Sequence, residues 1–360
     1  MTQPPTPFYM ASNNLQPIRN VLITRFSALG DVAMTIPIVY PVCEANPNVS
    51  FVFVTRKVPA GMFVNCPKNL IVLGIDLNTC KGLFGLWKLA RNLHFRYNFD
   101  VMADLHDVLR TKIIRTVLKF KKVKIVAIDK GRKEKKLLTS GKSKLPVKTT
   151  HARYKDVFSE LGLNLGEEFT SIFANGEIPK SPIVPAKGEK ERWIAVAPFS
   201  QHKGKEYPIE QMQMVINEMA RWEHCHIFLM GGGEKERDIF DTIMRRYNNV
   251  LSLPHIKHSF ADELVLLSHC DVMVTMDSAN MHLASLVGLP VVSVWGATHP
   301  SCGFMGWHQA LKDTVQLNLE CRPCSVFGNK KCRYGDYHCM SDISPEMIIK
   351  KVLTILERDE

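Results

Sequence analysis

Short apolar, β-rich runs alternate with amphipathic helical stretches along this chain, and the alternation occurs twice. Such a rhythm leaves few folds open, because a parallel sheet has to bury both faces under helices. In the first half the apolar runs are residues 21–24, 50–55, 70–75, 100–105 and 123–128, with helical spacing over 30–44 and 83–94. From residue 175 to 191 the rhythm breaks at Pro179, Pro182 and Pro185 and at the charged cluster of Lys187, Glu189, Lys190 and Glu191, which marks a linker. It restarts at 193–198 and continues through 226–230, 271–275 and 290–295, with helices expected over 209–221, 234–246, 280–287 and 345–358. The expected fold is α/β, with two Rossmann-like doubly wound domains facing across a cleft. The first spans residues 1–178, the linker 179–192, the second domain 193–343, and a closing helix 344–360. Ligands of open parallel sheets bind beyond the carboxyl ends of the strands, so the cleft is the default site.

Length and composition agree with two globular domains: 360 residues, 46% hydrophobic and 22% charged. No run approaches the roughly 18 apolar residues of a membrane-spanning helix. Residues 1–17 are polar and contain proline, without the basic-then-apolar order of a signal peptide, so a cytoplasmic protein is expected. The net charge of +11 suits anionic partners such as nucleotides, phosphorylated lipids or an anionic bilayer, although solubility alone also accounts for it. A basic insertion over 130–148 carries Lys130, Arg132, Lys133, Lys135, Lys136, Lys142, Lys144 and Lys148. It reads as a solvated loop or as a flexible arm that touches acceptor phosphates or the membrane surface. It lacks the interleaved aromatics of a single-strand groove, so nucleic acid is not an expected partner.

Four segments at strand-to-helix junctions carry the chemistry. Residues 25–31 follow the first strand; Gly30 permits tight backbone geometry and Asp31 stands at a helix start, where a plain cap is worth about 1 kcal/mol. Residues 197–208 follow the first strand of the second domain and offer the Ser200 hydroxyl and the Lys203 and Lys205 charges, a set suited to a diphosphate. The run Gly231-Gly232-Gly233-Glu234 lets a nucleotide approach the backbone, with a carboxylate for ribose hydroxyls; it is not a dinucleotide fingerprint. Residues 275–282 place Asp277 and Ser278 as caps before free amides, and His282 inside the following helix, where a satisfied structural histidine is the ordinary expectation.

Ten cysteines are present; Cys43, Cys66, Cys80, Cys225, Cys270 and Cys302 are scattered and read as small buried hydrophobes. Cys321, Cys324, Cys332 and Cys339 cluster, and a structural zinc site is one reading, reduced or redox-labile thiols the other.

These segments resemble glycosyltransferase family 9, the lipopolysaccharide heptosyltransferases. The resemblance rests on Val21 to Arg25, Gly30-Asp31-Val32, Thr35-Ile36-Pro37, Asp104-Leu105, Leu109-Arg110-Thr111, Pro198-Phe199-Ser200 with Tyr207-Pro208, Gly231 to Glu234, Asp277-Ser278 with His282-Leu283-Ala284, and Gly288-Leu289-Pro290 with Trp295 to Thr298 and Pro300. It implies a GT-B fold and an inverting, metal-independent transfer of heptose or a related sugar, without a cofactor. The donor would be ADP-heptose or another nucleotide-diphosphate sugar. The acceptor would be the lipopolysaccharide inner core or another lipid-linked group at the cytoplasmic face of the inner membrane. By the same resemblance Asp31 is the general base and Lys205 meets the donor phosphates. Ser200, Gln201, Lys203, Gly232, Glu234, Asp277, Ser278, Ala279, Asn280 and His282 belong to the donor side, and Arg25, Ser27, Arg110, Lys133 and Lys136 to the acceptor side. The chain departs from the family pattern at His106-Asp107, at Tyr207 in place of tryptophan, and in the 130–148 insertion. A nucleotide-sugar epimerase or hydrolase of similar fold, or a non-catalytic nucleotide-binding protein, is the alternative.

Overall fold

The computed structural model describes residues 17–358. The polar start read above as lacking a signal peptide lies outside the described residues up to residue 16. The first sheet holds β1 (Asn20–Thr24), β2 (Ser50–Arg56), β3 (Leu70–Ile75), β4 (Val101–Asp104) and β5 (Lys124–Ala127), in the order β3-β2-β1-β4-β5. The second holds β6 (Arg192–Ala197), β7 (Cys225–Leu229), β8 (Val250–Ser252), β9 (Val272–Met276), β10 (Val291–Val294) and β11 (Thr314–Val315), in the order β11-β10-β9-β6-β7-β8. Every strand pairing is parallel. The chain is thus an α/β protein of two Rossmann-like sheets, and in each the strand order reverses beside its first strand. The switch points lie at the carboxyl ends of β1 and β6, where ligands gather in such sheets. Continuous apolar sequence in the central strands follows from burial on both faces: Val21, Leu22, Ile23, Ile194, Ala195 and Val196 are all fully enclosed.

Several elements differ from the sequence reading. The helix expected over 30–44 is two helices, Leu29–Ala33 and Ile36–Ala45, with Thr35 between them donating its hydroxyl to Val32 O. Strands β8 and β11 have three and two residues, too few for a periodic signal. Helices Leu109–Lys119 and Thr150–Leu161 were masked by scattered basic residues. The insertion is largely exposed, as a solvated segment would be, but it is not a free arm. It contains helix Arg132–Thr139, whose Leu138 packs with Val147 on Cys302 and Phe304 of the other half. The amide of Val147 donates to Ser301 O and that of Thr150 to Gly303 O, so the segment is pinned across the domains.

The two halves share one core. Val21, Ile23, Val32 and Tyr154 belong to the same apolar cluster as Met281, Leu283, Leu286 and Trp307. The Trp307 indole donates to Phe169 O, and Ile172 N donates to Leu286 O. At the centre, helix Leu29–Ala33 lies against helix Ala279–Leu286. Gly30 sits in that contact without a positive φ; a Cβ there would stand 2.8 Å from His282 Cδ2 and 3.2 Å from Ala279 Cα. Its conformational freedom is therefore not what the position uses. What it provides is the absence of a side chain.

Replacing Gly30 with alanine should push the two helices apart. Overpacking of this kind costs about 1–3 kcal/mol. We expect a lowered melting temperature, and a Gly30→Ala protein as stable as the wild type would show that the contact is not tight.

Candidate active site

The chain leaves β1 at Thr24 and turns into helix Leu29–Ala33, which carries Asp31 in its first turn. One Asp31 carboxylate oxygen accepts the Ala28 amide at 3.1 Å and meets the Arg25 guanidinium at 2.6 Å. Asp31 is thus not the N-cap considered from sequence, a place that Ala28 takes, but the third helical residue, whose carboxylate accepts the N-cap amide and adds an ion pair to it. Arg25 is buried, donates to Leu105 O at 2.7 Å, and leaves its Nε without a partner. Tyr154 donates its hydroxyl to Asp31 O at 3.2 Å. Burial alone would raise the Asp31 pKa, but the Arg25 charge and the Ala28 amide outweigh it and hold the carboxyl below the usual range.

Beside this pair lies Asp104, fully buried at the end of β4. It accepts the amides of His106 and Asp107, both at 3.0 Å, and approaches Arg115 at 3.4 Å. His106 accepts the Phe26 amide on Nδ1, and burial with the neighbouring Arg25 charge pushes its pKa down to about 3. The His106-Asp107 departure thus supplies a neutral imidazole and a carboxylate paired with Arg115 and Arg132.

From the second half, a 3-10 turn over Lys203–Lys205 presents Lys205, whose Nζ is 2.8 Å from Asp277 Oδ2. The contact is ionic without hydrogen-bond alignment, and Asp277 Oδ2 has no hydrogen-bond partner. Ser278 caps helix Ala279–Leu286 by accepting the Asn280 amide at 3.3 Å. His282 is buried, yet its Nδ1 has no hydrogen-bond partner, so it is not the satisfied structural histidine expected from sequence. Burial lowers its pKa to about 4, while Asp277, Asp31 and Lys205 all lie within its electrostatic reach. Asp31 and Lys205, from different halves of the chain, therefore both act electrostatically on His282.

The insertion contributes residues that sequence reasoning passed over. Lys133 and Lys136 are exposed. The buried lysine is Lys135, whose ammonium sits 4.1 Å from the centre of the Phe304 ring and within electrostatic reach of Asp31. Burial, then the Arg153 charge, lowers its pKa to about 8. Lys130 also lies within electrostatic reach of Asp31 and donates to Asp107 O at 3.2 Å, at the rim of a hollow of about 420 Å³ lined by residues 128–134 and Asp107. A helical period within 132–139 could have singled out Lys135, Leu138 and the inward face.

The remaining candidates sit less centrally. Ser27 and Ser200 are half-buried, while Gln201 and Arg110 are exposed. Lys203 is exposed and pairs with Glu206 at 3.2 Å. Glu234 is exposed in the first turn of its helix, and it is Glu236, not Glu234, that accepts the Gly232 amide at 2.6 Å. Tyr207 is buried and donates to Ile343 O at 2.8 Å, a structural role.

Cys321, Cys324, Cys332 and Cys339 are free thiols. They come close enough for Cys339 to feel the other three, and burial raises its pKa to about 11. Among the described residues, however, no three ligating side chains converge on a point that could hold a metal ion. The tetrahedral zinc arrangement considered for them is not what the structure shows. The loop around them is tied instead by Arg322, which donates to Gly296 O, Leu317 O and Thr298 O.

The family model "Glycosyltransferase family 9 (heptosyltransferase)" matches residues 86–338. The chain belongs to glycosyltransferase family 9. Members of this family are glycosyltransferases, and this chain is one of them. It is 22% identical over 333 residues to lipooligosaccharide heptosyltransferase 2 of Campylobacter jejuni, covering 91% of this chain and 96% of the relative. Its fold matches that of a family 9 glycosyl transferase from Veillonella parvula, with TM-score 0.71, 16% identity and coverage of 94% and 98% of the two chains. It also matches the E. coli heptosyltransferase WaaC with ADP, with TM-score 0.64, 16% identity and coverage of 95% and 100%. Among the described residues no helix of this glycosyltransferase is long and apolar enough to cross a membrane.

A depressed carboxylate pKa contributes stability above the unfolded value, lost as pH falls through the folded value. The melting temperature of the wild type should exceed that of Asp31→Asn near pH 7, and the gap should close only below about pH 4, the ordinary carboxylate range. A gap already gone near pH 6 would contradict the Arg25 pairing.

Proposed function

We propose that this glycosyltransferase moves heptose or a related sugar from ADP-heptose, or another nucleotide-diphosphate sugar, to a lipopolysaccharide-core acceptor with inversion at the anomeric carbon. The observation that carries the reading is that Asp31 and Lys205, each supplied by a different half of the chain, both lie within electrostatic reach of the buried His282. On this reading residues 1–178 hold the acceptor and residues 193–343 the donor, and the acceptor's lipid brings the enzyme to the cytoplasmic face of the inner membrane.

The acceptor hydroxyl is a poor nucleophile until its proton leaves. Asp31, kept ionised by Arg25, takes that proton as the new glycosidic bond forms, a contribution of about 10²–10⁴-fold. The anomeric carbon passes through an oxocarbenium-like state while its bond to the diphosphate oxygen lengthens. Negative charge grows on the leaving diphosphate, where Lys205 and the amides following Ser278 stabilise it. Those charges perform the service that a divalent cation performs elsewhere, which supports a metal-independent reaction. Direct attack from the acceptor side gives inversion. Ser200, Gln201, Lys203, Gly232 and Glu234 complete the donor side, and Arg25, Ser27 and Arg110 the acceptor side. Lys135 replaces the exposed Lys133 and Lys136 as the lysine that meets an acceptor anion, because it alone of the three is buried and within electrostatic reach of Asp31.

Three outcomes test this. Incubation with ADP-heptose and heptose-deficient lipopolysaccharide should give an extended core; free or epimerised sugar as the main product would favour a hydrolase or epimerase instead. Asp31→Ala should lower kcat by about 10²–10⁴-fold while leaving donor affinity, read by thermal shift, near the wild-type value. An active Asp31→Ala would remove the proposed base. Lys135 loses its proton as pH rises through about 8, so the acceptor KM of the wild type should climb above that pH. Lys135→Met, which keeps the apolar stem, should show a raised acceptor KM without that pH dependence.

A further inference from the structure

The acceptor half carries an outward face that its own core does not use. Helix Gly82–Tyr97 buries Leu86, Ala90 and Leu93 against the first sheet. On the opposite side Phe84, Trp87, Arg91 and Phe95 follow each other at intervals of three or four residues, with Lys88 flanking them, which is one stripe of a helix. Phe84 is 74% exposed, Trp87 40% and Phe95 92%, and Leu83 beside them is 69% exposed. Large apolar side chains in one exposed stripe mark a contact surface. Phe84 stacks on Trp87 at 5.7 Å, and the Arg91 guanidinium lies 5.3 Å from the Trp87 ring.

Charge says what the stripe meets. Between Asp76 and Asp100 the sequence holds Lys81, Lys88, Arg91 and Arg96 and no acidic residue. Aromatic and aliphatic side chains interleaved with lysine and arginine suit the boundary between headgroups and acyl chains: the rings enter the interface while the cations meet lipid phosphates. A protein partner with an acidic rim would also match the charge. The bilayer is favoured because Phe84 and Phe95 stand three helical turns apart along one stripe, and because the helix starts at the same end of the sheet as the Asp31 helix. Helices Gly82–Tyr97 and Leu109–Lys119 both start at the carboxyl ends of their strands, β3 and β4, the same end at which β1 delivers Asp31. Leu109, at that end, is 73% exposed.

We propose that the outer face of helix Gly82–Tyr97, built on Leu83, Phe84, Trp87, Lys88, Arg91 and Phe95, is the surface by which this enzyme lies on an anionic phospholipid bilayer. The idea extends the proposed function, since a lipid-linked acceptor requires the enzyme at a membrane; the face itself is independent of which sugar is moved.

Co-sedimentation with vesicles tests it. Wild type should bind phosphatidylethanolamine–phosphatidylglycerol vesicles, bind phosphatidylcholine vesicles weakly, and detach as salt is raised. The double variant Phe84→Glu with Trp87→Glu should lose binding to the anionic vesicles by at least about tenfold, since both buried apolar area and charge attraction fall. Lys88→Gln with Arg91→Gln should weaken it with the rings intact. Met214→Glu, on an exposed site of the other half, should bind as the wild type does. Absence of wild-type binding, or equal binding by the double variant, overturns the assignment. So does a wild-type dimer in solution that the double variant converts to monomer while vesicle binding persists, because the face would then be a self-association surface. Transfer to a deacylated, soluble core acceptor should persist in the double variant. If the wild type itself transfers nothing to that acceptor, the functional reading fails separately, whatever the vesicles show.

Discussion

The structure depends on one close approach: helix Leu29–Ala33 lies against helix Ala279–Leu286 with only the hydrogen of Gly30 between them. Each helix starts at the carboxyl end of a strand in its own sheet, β1 in one and β9 in the other, and each carries an acid near its start, Asp31 and Asp277. Bringing the two helix starts together brings two carboxylates together as well. That is unfavourable unless cations are interleaved. Arg25 answers Asp31 and Lys205 answers Asp277, so each half supplies the cation for its own acid. The imidazole of His282 then occupies the seam in its neutral form, which burial enforces and which adds no charge to the balance.

How far this could be read from the sequence follows from what sets each feature. The sheets were legible because parallel strands buried on both faces must be apolar throughout, and Val21-Leu22-Ile23 and Ile194-Ala195-Val196 announce themselves. Their switch points were legible as well, because loops at the ends of β1 and β6 hold polar groups that no core would need. The short edge strands β8 and β11 were not, since two or three residues carry no period. The cross-domain contacts were also hidden. Gly30 reads from its own neighbours as a turn glycine, and only the position of His282, some 250 residues later, shows that the space is what counts.

The insertion shows the same limit more sharply. Eight basic residues among 19 look like a solvated segment, and by composition alone they are. Within them, Lys135 and Leu138 fall on one side of helix Arg132–Thr139, and that side closes on Phe304 and Cys302. Lysine stems are long enough to pack as hydrophobes while the ammonium stays polar. Composition counts Lys133, Lys135 and Lys136 as equals, whereas the fold separates them by which way the helix turns. In the cysteine cluster, proximity in sequence left a metal cage and reduced thiols both open. The fold holds free thiols, in a loop that Arg322 ties through three carbonyl acceptors.

The ion pairs also limit what the two acids can do. Paired with Arg25, Asp31 is a weak base, because Arg25 stabilises the charged form that proton uptake would remove. Lys205 is likewise occupied by Asp277. On the proposed reading a diphosphate arriving beside Lys205 competes with Asp277 for its ammonium, and an acceptor anion arriving beside Lys135 changes the field at Asp31. Added negative charge near Asp31 raises its pKa and so strengthens it as a base. Substrate binding would then do more than bring reactants together: by redistributing the cations, it would release basicity that the Arg25 pairing holds in check.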